Sequence, residues 1–279
     1  MLNIGEFNSL KIVRKANLGY FLDSETDNTN NDILLPTNST LGQEFEIGDL
    51  VDAFIYRDSK DRIIATLKKP LGQVGDIVLL KVVDKTQIGT FVNIGLERDV
   101  LIPFKEQMEE LEVGNSYLVY LYLDKTDRIA GTTKIDRFLE VPETFEIGDE
   151  VTGIVYGFQT NGSLMVAVEG KYRGVVLKNE YFTEVKFGET LNLRVKKYYE
   201  DEKIGLTPRQ GKLYERDSLE EKIVNYLTEH GGVMSFNDKS SPEEIYDTFH
   251  VSKNNFKNSL GGLMKRNLIV QDEHGTKLK

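Results

Sequence analysis

Asp58-Ser59-Lys60-Asp61-Arg62-Ile63 returns 66 residues later as Asp124-Lys125-Thr126-Asp127-Arg128-Ile129, and a looser copy follows at Asp201-Glu202-Lys203-Ile204. Each sets turn-favouring residues between apolar runs, the pattern of a hairpin joining two antiparallel strands. A second pattern recurs as Ile47-Gly48-Asp49, Val74-Gly75-Asp76 and Ile147-Gly148-Asp149, each leading into alternating apolar residues. A period of about 65–75 residues is too long for a solenoid repeat and suits a whole small domain. The chain therefore divides into three copies of one β module and a different C-terminal piece. The expected boundaries are 1–68, 69–143, 144–212 and 213–279.

The third module shows the strand plan. Val151, Gly153 and Val155 alternate with Thr152, Ile154 and Tyr156, and Gln159-Thr160-Asn161-Gly162 turns the chain into Ser163–Val168. Lys171, Tyr172 and Arg173 fall in the next connection, before Val175-Val176-Leu177. An interruption over 179–187 precedes the strands Thr190–Val195 and Lys203–Leu206. Five strands interrupted after the third describe a closed OB-type barrel, whose strand 2–3 face commonly binds oligonucleotides.

Beyond Lys212 the apolar period changes from two to about 3.6. Ser218-Leu219-Glu220-Glu221 reads as a capping box opening a helix with Leu219, Ile223, Tyr226 and Leu227 on one face, ended by Gly231-Gly232. Ser241-Pro242-Glu243-Glu244 opens a second helix, anchored by Ile245 and Phe249. Ser252 caps a third, whose inner face reads Phe256, Leu260, Leu263 and Met264. Leu268–Gln271 and Thr276–Lys279 close as a hairpin. The expected class is mainly β with a C-terminal α+β domain: three tandem five-stranded barrels followed by a winged helix, a variant of helix-turn-helix.

The modules resemble S1 RNA-binding domains, best at Ile88-Gly89-Thr90-Phe91-Val92 and Val100-Leu101-Ile102-Pro103, with Leu18-Gly19-Tyr20-Phe21-Leu22 and Asn161-Gly162-Ser163-Leu164-Met165 as counterparts. They depart from the family at its stacking platform. The first aromatic is replaced by Leu18, Ile88 and Asn161, the second remains as Phe21 and Phe91 alone, and the closing histidine has become Pro36, Pro103 and Leu177. The segments Gly231–Met234, Asn237–Pro242, Ser252-Lys253, Phe256-Lys257 and Leu260–Lys265 are similar to the C-terminus of the conserved virulence factor B family. That resemblance spans essentially the whole chain. It implies tandem S1-like barrels with a winged helix, RNA binding and effects on gene expression, with no catalytic step.

Composition limits the alternatives. The 279 residues contain no cysteine, which excludes disulfides and cysteine zinc sites and fits a reducing compartment. Met1–Phe7 lacks the pattern of a signal peptide, and no apolar run approaches the roughly 20 residues of a membrane helix. A cytoplasmic, monomeric protein is expected. His230, His250 and His274 share no metal spacing, and no phosphate loop or nucleophile motif is present, so no catalytic residue, metal or cofactor is expected. The Asp58/Asp61 and Asp124/Asp127 pairs suit local turn bonding better than cation binding.

Net charge is −10 overall; residues 1–68 and 69–143 carry −4 each, 144–212 are neutral and 213–279 carry −2. Phosphate binding depends on local cations, so the C-terminal half is the better RNA-binding candidate. In module three the candidates are Lys171, Tyr172, Arg173, Lys178, Arg194, Arg209 and the run Lys196-Lys197-Tyr198-Tyr199. Basic residues interleaved with tyrosines suit a single strand, because charge follows the backbone and rings stack on any base. The same lysines could simply solubilise an edge while the tyrosines cover the rim. In helix three, Lys253, Lys257 and Lys265 occupy the position of a nucleic-acid face, or of an ordinary solvated one. The acidic barrels 1 and 2 suit a spacer or a protein contact, and a pure protein-interaction scaffold is the alternative to RNA binding.

Overall fold

The computed structural model describes the chain except residues 1, 25, 27–30, 142–144, 202 and 209–211, and describes 212–218 by backbone alone. The expected Arg209 contact lies outside the described residues.

Barrel 1 comprises β1 (Phe7–Ala16), β2 (Gly19–Leu22), β3 (Ile33–Pro36), β4 (Leu50–Arg57) and β5 (Ile63–Thr66), closed in the order 1-2-3-5-4. Barrel 2 repeats that order with β6 (Ile77–Lys85), β7 (Gly89–Asn93), β8 (Val100–Pro103), β9 (Ser116–Leu123) and β10 (Ile129–Thr132). Barrel 3 does so with β11 (Glu150–Phe158), β12 (Leu164–Val168), β13 (Tyr172–Val176), β14 (Thr190–Tyr198) and β15 (Ile204–Thr207). The first strand of each barrel pairs with both the second and the fourth, and its register slips at Ile12/Arg14, Val82/Asp84 and Val155/Gly157. A bulge bends a strand, and here it bends each opening strand where it passes from one neighbour to the other. Gly19 and Gly89 start the second strands with φ of 141° and 154°, and a Cβ on either would strike a backbone carbonyl, of Leu35 or Ile102.

Two assignments in barrel 3 change. Tyr172 and Arg173 belong to β13, paired to Val168 and Ala167. Lys196, Lys197 and Tyr198 extend β14, with Lys197 opposite Gly205 and Tyr198 opposite Ile204. A second bulge, between Val195 and Lys197, lets the ladder run beyond the point where apolar alternation stops.

Each barrel has its own core, but the fourth strands of barrels 1 and 2 are apolar on both sides. In β4, Val51, Ala53 and Ile55 point inward, whereas Phe54 and Tyr56 join the cluster of barrel 2. In β9, Tyr117, Val119 and Leu121 fill barrel 2, whereas Leu118 and Tyr120 meet barrel 3.

The C-terminal part contains α1 (Lys212–Glu229), β16 (Val233–Met234), α2 (Pro242–Phe249), α3 (Lys253–Lys265), β17 (Ile269–Asp272) and β18 (Gly275–Leu278). The capping box at Ser241 and the cap at Ser252 form as expected. The helix expected to open at Ser218 instead starts at Lys212, because no glycine or proline interrupts 212–217 and those residues propagate a helix adequately. Met264 is exposed rather than buried, and Ser259 takes the inner position beside Leu260 and Leu263. A third strand, β16, pairs with β18 and completes the small sheet.

Candidate nucleic-acid interface

Barrel 3 does not offer its strand 2–3 face to solvent. Leu164, Val166, Val168 and Val176 point into the barrel. On the other face Ala167 and Tyr156 are buried with Leu118, Ile135 and Leu139 of the preceding barrel and its exit segment, and Met165 packs against them. The Arg173 guanidinium donates to the Asp136 carbonyl at 2.6 Å, and its Nε lies 3.6 Å from the Asp136 carboxylate. The same carboxylate accepts the Tyr156 hydroxyl at 2.6 Å, and burial, together with Asp136, pushes that phenol far above its ordinary range. Backbone bonds between Glu140 and residues 171 and 173 lay the exit segment along β13. Arg173 thus joins the two barrels, with 24% of its side chain exposed.

The other expected residues fall into separate groups. At the start of β13, the Lys171 ammonium lies 3.1 Å from Glu140, which raises its pKa, and 5.1 Å from the Tyr172 ring. Tyr172 meets Phe145 edge-on at 5.4 Å, and Tyr198 donates to the Phe145 carbonyl at 2.7 Å. Past the other end of β13, Lys178 lies 4.4 Å above the Tyr181 ring, while Lys196 holds the buried Glu180 at 2.5 Å. Lys197 sits 4.0 Å over Tyr199 on the closing hairpin, and Arg194 reaches Glu150 at 3.4 Å. In α3, Lys253 donates to the Lys239 carbonyl at 3.4 Å. Lys257 and Lys265 are exposed, with no ion-pair partner among the described residues. The winged helix meets barrel 3 where the Tyr246 hydroxyl donates to the Phe182 carbonyl and the two rings pack edge-on at 6.3 Å.

Sequence reasoning missed a cleft of about 680 Å³ between barrels 1 and 2. Phe91, Leu101 and Pro103, on the outer face of β7 and β8, form its apolar side together with Tyr122. Burial, then Glu106 and Asp124, raise the Tyr122 pKa, so the phenol remains a proton donor. Five basic and three acidic side chains also line the cleft. Phe91 was the signal available in the sequence; the module's net charge concealed the cations around it.

Beside the cleft the repeated hairpins clasp one another. Arg128 binds the Asp61 carboxylate, and Arg57 reaches Asp127 at 3.4 Å. Asp61 and Asp127 are equivalent residues with φ of 62° and 54°, a left-handed turn conformation that aspartate tolerates. Asp58 and Asp124 accept amide bonds inside their own turns. No group of three or more possible metal-ligating side chains gathers among the described residues, and no described helix is long and apolar enough to cross a membrane.

Comparison with known proteins fits this architecture. The S1 domain matches residues 4–68 and 74–134, which contain the strands of the first two barrels, and the CvfB-like winged helix domain matches 221–278. The chain is 30% identical over 284 residues to the uncharacterized protein YitL of Bacillus subtilis, covering 98% of this chain and 92% of that one. It is 26% identical to a conserved virulence factor B of Staphylococcus epidermidis, over 95% and 91% of the two chains. A crystal structure described as a multidomain protein with nucleic acid binding domains, from Streptococcus pneumoniae, aligns over 99% of this chain and 98% of that one, with 25% identity and a TM-score of 0.52. With closed barrels of common strand order, a winged helix behind them and relatives aligned across nearly its whole length, the chain belongs to the conserved virulence factor B family.

Proposed function

We propose that this protein is a non-catalytic binder of single-stranded RNA that regulates gene expression after transcription in the cytoplasm. The observation that carries the reading is the presence of exposed cations and tyrosines, in separate groups, on barrel 3 and α3. Lys197 and Tyr199 lie on the closing hairpin of barrel 3, Tyr198 extends β14, and Tyr246 of α2 joins to the same barrel the winged helix whose α3 carries the exposed Lys257 and Lys265. This lies in the half of the chain with the less negative charge. Charge that follows a backbone and rings that accept any base suit a single strand. S1-type barrels, a winged helix and a relative described by its nucleic acid binding domains support the same reading.

A salt titration of the full chain with labelled RNA tests it. Several phosphate contacts should give a steep negative slope of log affinity on log salt. Absence of binding at low salt would overturn the reading. It would favour a protein-interaction scaffold, for which residues 1–143, with a charge of −8, and the exposed Leu18 speak.

A further inference from the structure

Every barrel opens its first and fourth strands with the same turn, an apolar residue followed by a glycine at a φ of 83–105° and then a polar residue. The glycines are Gly5 and Gly48 in barrel 1, Gly75 and Gly114 in barrel 2, and Gly148 and Gly188 in barrel 3. Each glycine amide donates to a carbonyl of the paired strand at 2.7–2.9 Å, so the two turns of a barrel cap opposite ends of one antiparallel pair. The two junctions join like to like. Between barrels 1 and 2 a first-strand turn meets a first-strand turn: the Val74 amide donates to the Gly5 carbonyl at 2.9 Å, and a Cβ on Gly5 would strike Val74. Between barrels 2 and 3 a fourth-strand turn meets the opening of another fourth strand. A Cβ on Gly188 would lie 2.4 Å from the Ser116 carbonyl, and the Phe187 and Tyr117 rings pack at 4.9 Å.

One turn of each kind is left over, the fourth-strand turn of barrel 1 and the first-strand turn of barrel 3, and their isoleucines, Ile47 and Ile147, are 67% and 70% exposed. They differ in the residue two places after the glycine. In barrel 1 it is Leu50, 72% exposed, whereas in barrel 3 it is Glu150, which pairs with Arg194 at 3.4 Å. The charges around Leu50 are self-complementary. Leu50 and Asp52 point outward from β4, since Val51 and Ala53 fill the core, and they lie opposite Lys11 and Ser9 of β1. Lys11 reaches back over Gly48, and neither Lys11 nor Asp52 has an ion-pair partner among the described residues. In a twofold contact the same patch faces itself, so one lysine–aspartate match is made twice. Leu50 also stands about 13 Å along the strand from Phe54, at about 3.3 Å per residue, which leaves it clear of the contact with barrel 2.

We propose that two copies of this chain associate about a twofold axis through the turn that opens β4, with Ile47 and Leu50 at the centre and Lys11 of each copy paired to Asp52 of the other. The contact repeats between molecules the like-to-like joining that the chain uses within itself, and it is independent of the RNA reading. The surface is small, and small interfaces are weak, so the monomer expected from the sequence is the dilute form and the dimer the concentrated one.

Sedimentation of full-length protein freed of nucleic acid, from about 1 to about 300 µM, should show the average mass rise from the 31.8 kDa of one chain toward twice that value. Leu50→Glu should hold it at one chain over the whole range. Lys11→Glu and Asp52→Lys should each do the same, because each sets like charges across the axis. Mixed in equal amounts, those two variants should dimerise again, since the first offers carboxylates at both positions and the second offers ammoniums at both. Thermal melts check that the variants fold, and the restored mixture is itself a folded control for the two charge variants. A parent that stays at one chain throughout overturns the proposal, and so does a dimer that survives Leu50→Glu. A dimer lost in Leu50→Glu but not restored by the mixture refutes the twofold pairing of Lys11 with Asp52.

Discussion

Gly261 and Gly262 are neighbours in α3 with opposite surroundings. A Cβ on Gly262 would run into the carboxylate of Glu220, a buried residue of α1 that holds Arg266, whereas a Cβ on Gly261 would meet nothing within 4 Å. Glycine inside a helix costs about 1 kcal/mol relative to alanine. Gly261→Ala should therefore stabilise the winged helix by up to about that amount in urea denaturation. Gly262→Ala should destabilise it, because overpacking of about 1–3 kcal/mol opposes the same gain. Equal shifts for the two would refute the close approach of α1. At the proposed RNA surface, Tyr199→Ala should weaken binding by about 1–3 kcal/mol with little change in salt slope, provided a base stacks there. Tyr198→Ala should do the same on that condition, after allowance for its lost bond to Phe145. Lys197→Ala and Lys257→Ala should each lower the slope by about one. Lys196→Ala is a poorer probe, since it also strips an ion pair from a buried glutamate.

Among the elements, the hairpin clasp has a definite pH signature. The hydrogen bond from Arg128, aided by its charge, holds the Asp61 carboxyl below its ordinary range. A depressed folded pKa contributes stability that is complete above the unfolded value, near 4, and is lost as pH falls through the lower folded value. The pair's contribution to thermal stability should thus be fully present and independent of pH near neutrality. Asp61→Asn should remove part of the acid-side decline, and high salt should shrink the difference, since the pair is exposed. An acid limb unchanged by Asp61→Asn would sink the assignment. Most strands, both hairpin repeats and the caps of α2 and α3 were legible because alternation, turn chemistry and capping are local. The start of α1 was not: Ser218-Leu219-Glu220-Glu221 matches a capping box, yet nothing before it stops the helix. β16, only two residues long, was too short to leave a periodic signal.

For the whole molecule, the deciding fact is which barrel faces meet. Ala167, Tyr156 and Arg173 sit where a binding face was expected, and only the arrival of residues 135–140 shows them to be a junction. Ala53-Phe54-Ile55-Tyr56 did carry a warning, since a strand apolar on both sides needs a neighbour on each. Ala167→Glu places a charge in that junction and should loosen barrel 3 from barrel 2, seen as a larger radius of gyration in solution scattering; an unchanged radius would argue against the contact. For the same reason a cut near residue 143 would expose apolar surface, so full-length variants are the cleaner test of where RNA binds. The clasp ties together two turns that lie 66 residues apart in the chain. Asp61 answers to an arginine in the other copy, and so does Asp127. A substitution at Asp61 therefore strips a partner from Arg128 on the second hairpin, and one at Asp127 strips a partner from Arg57 beside the first, so neither turn is altered alone. The third hairpin, where Lys203 pairs with Asp201 inside its own turn, has no such correspondent among the described residues, and a change there stays local.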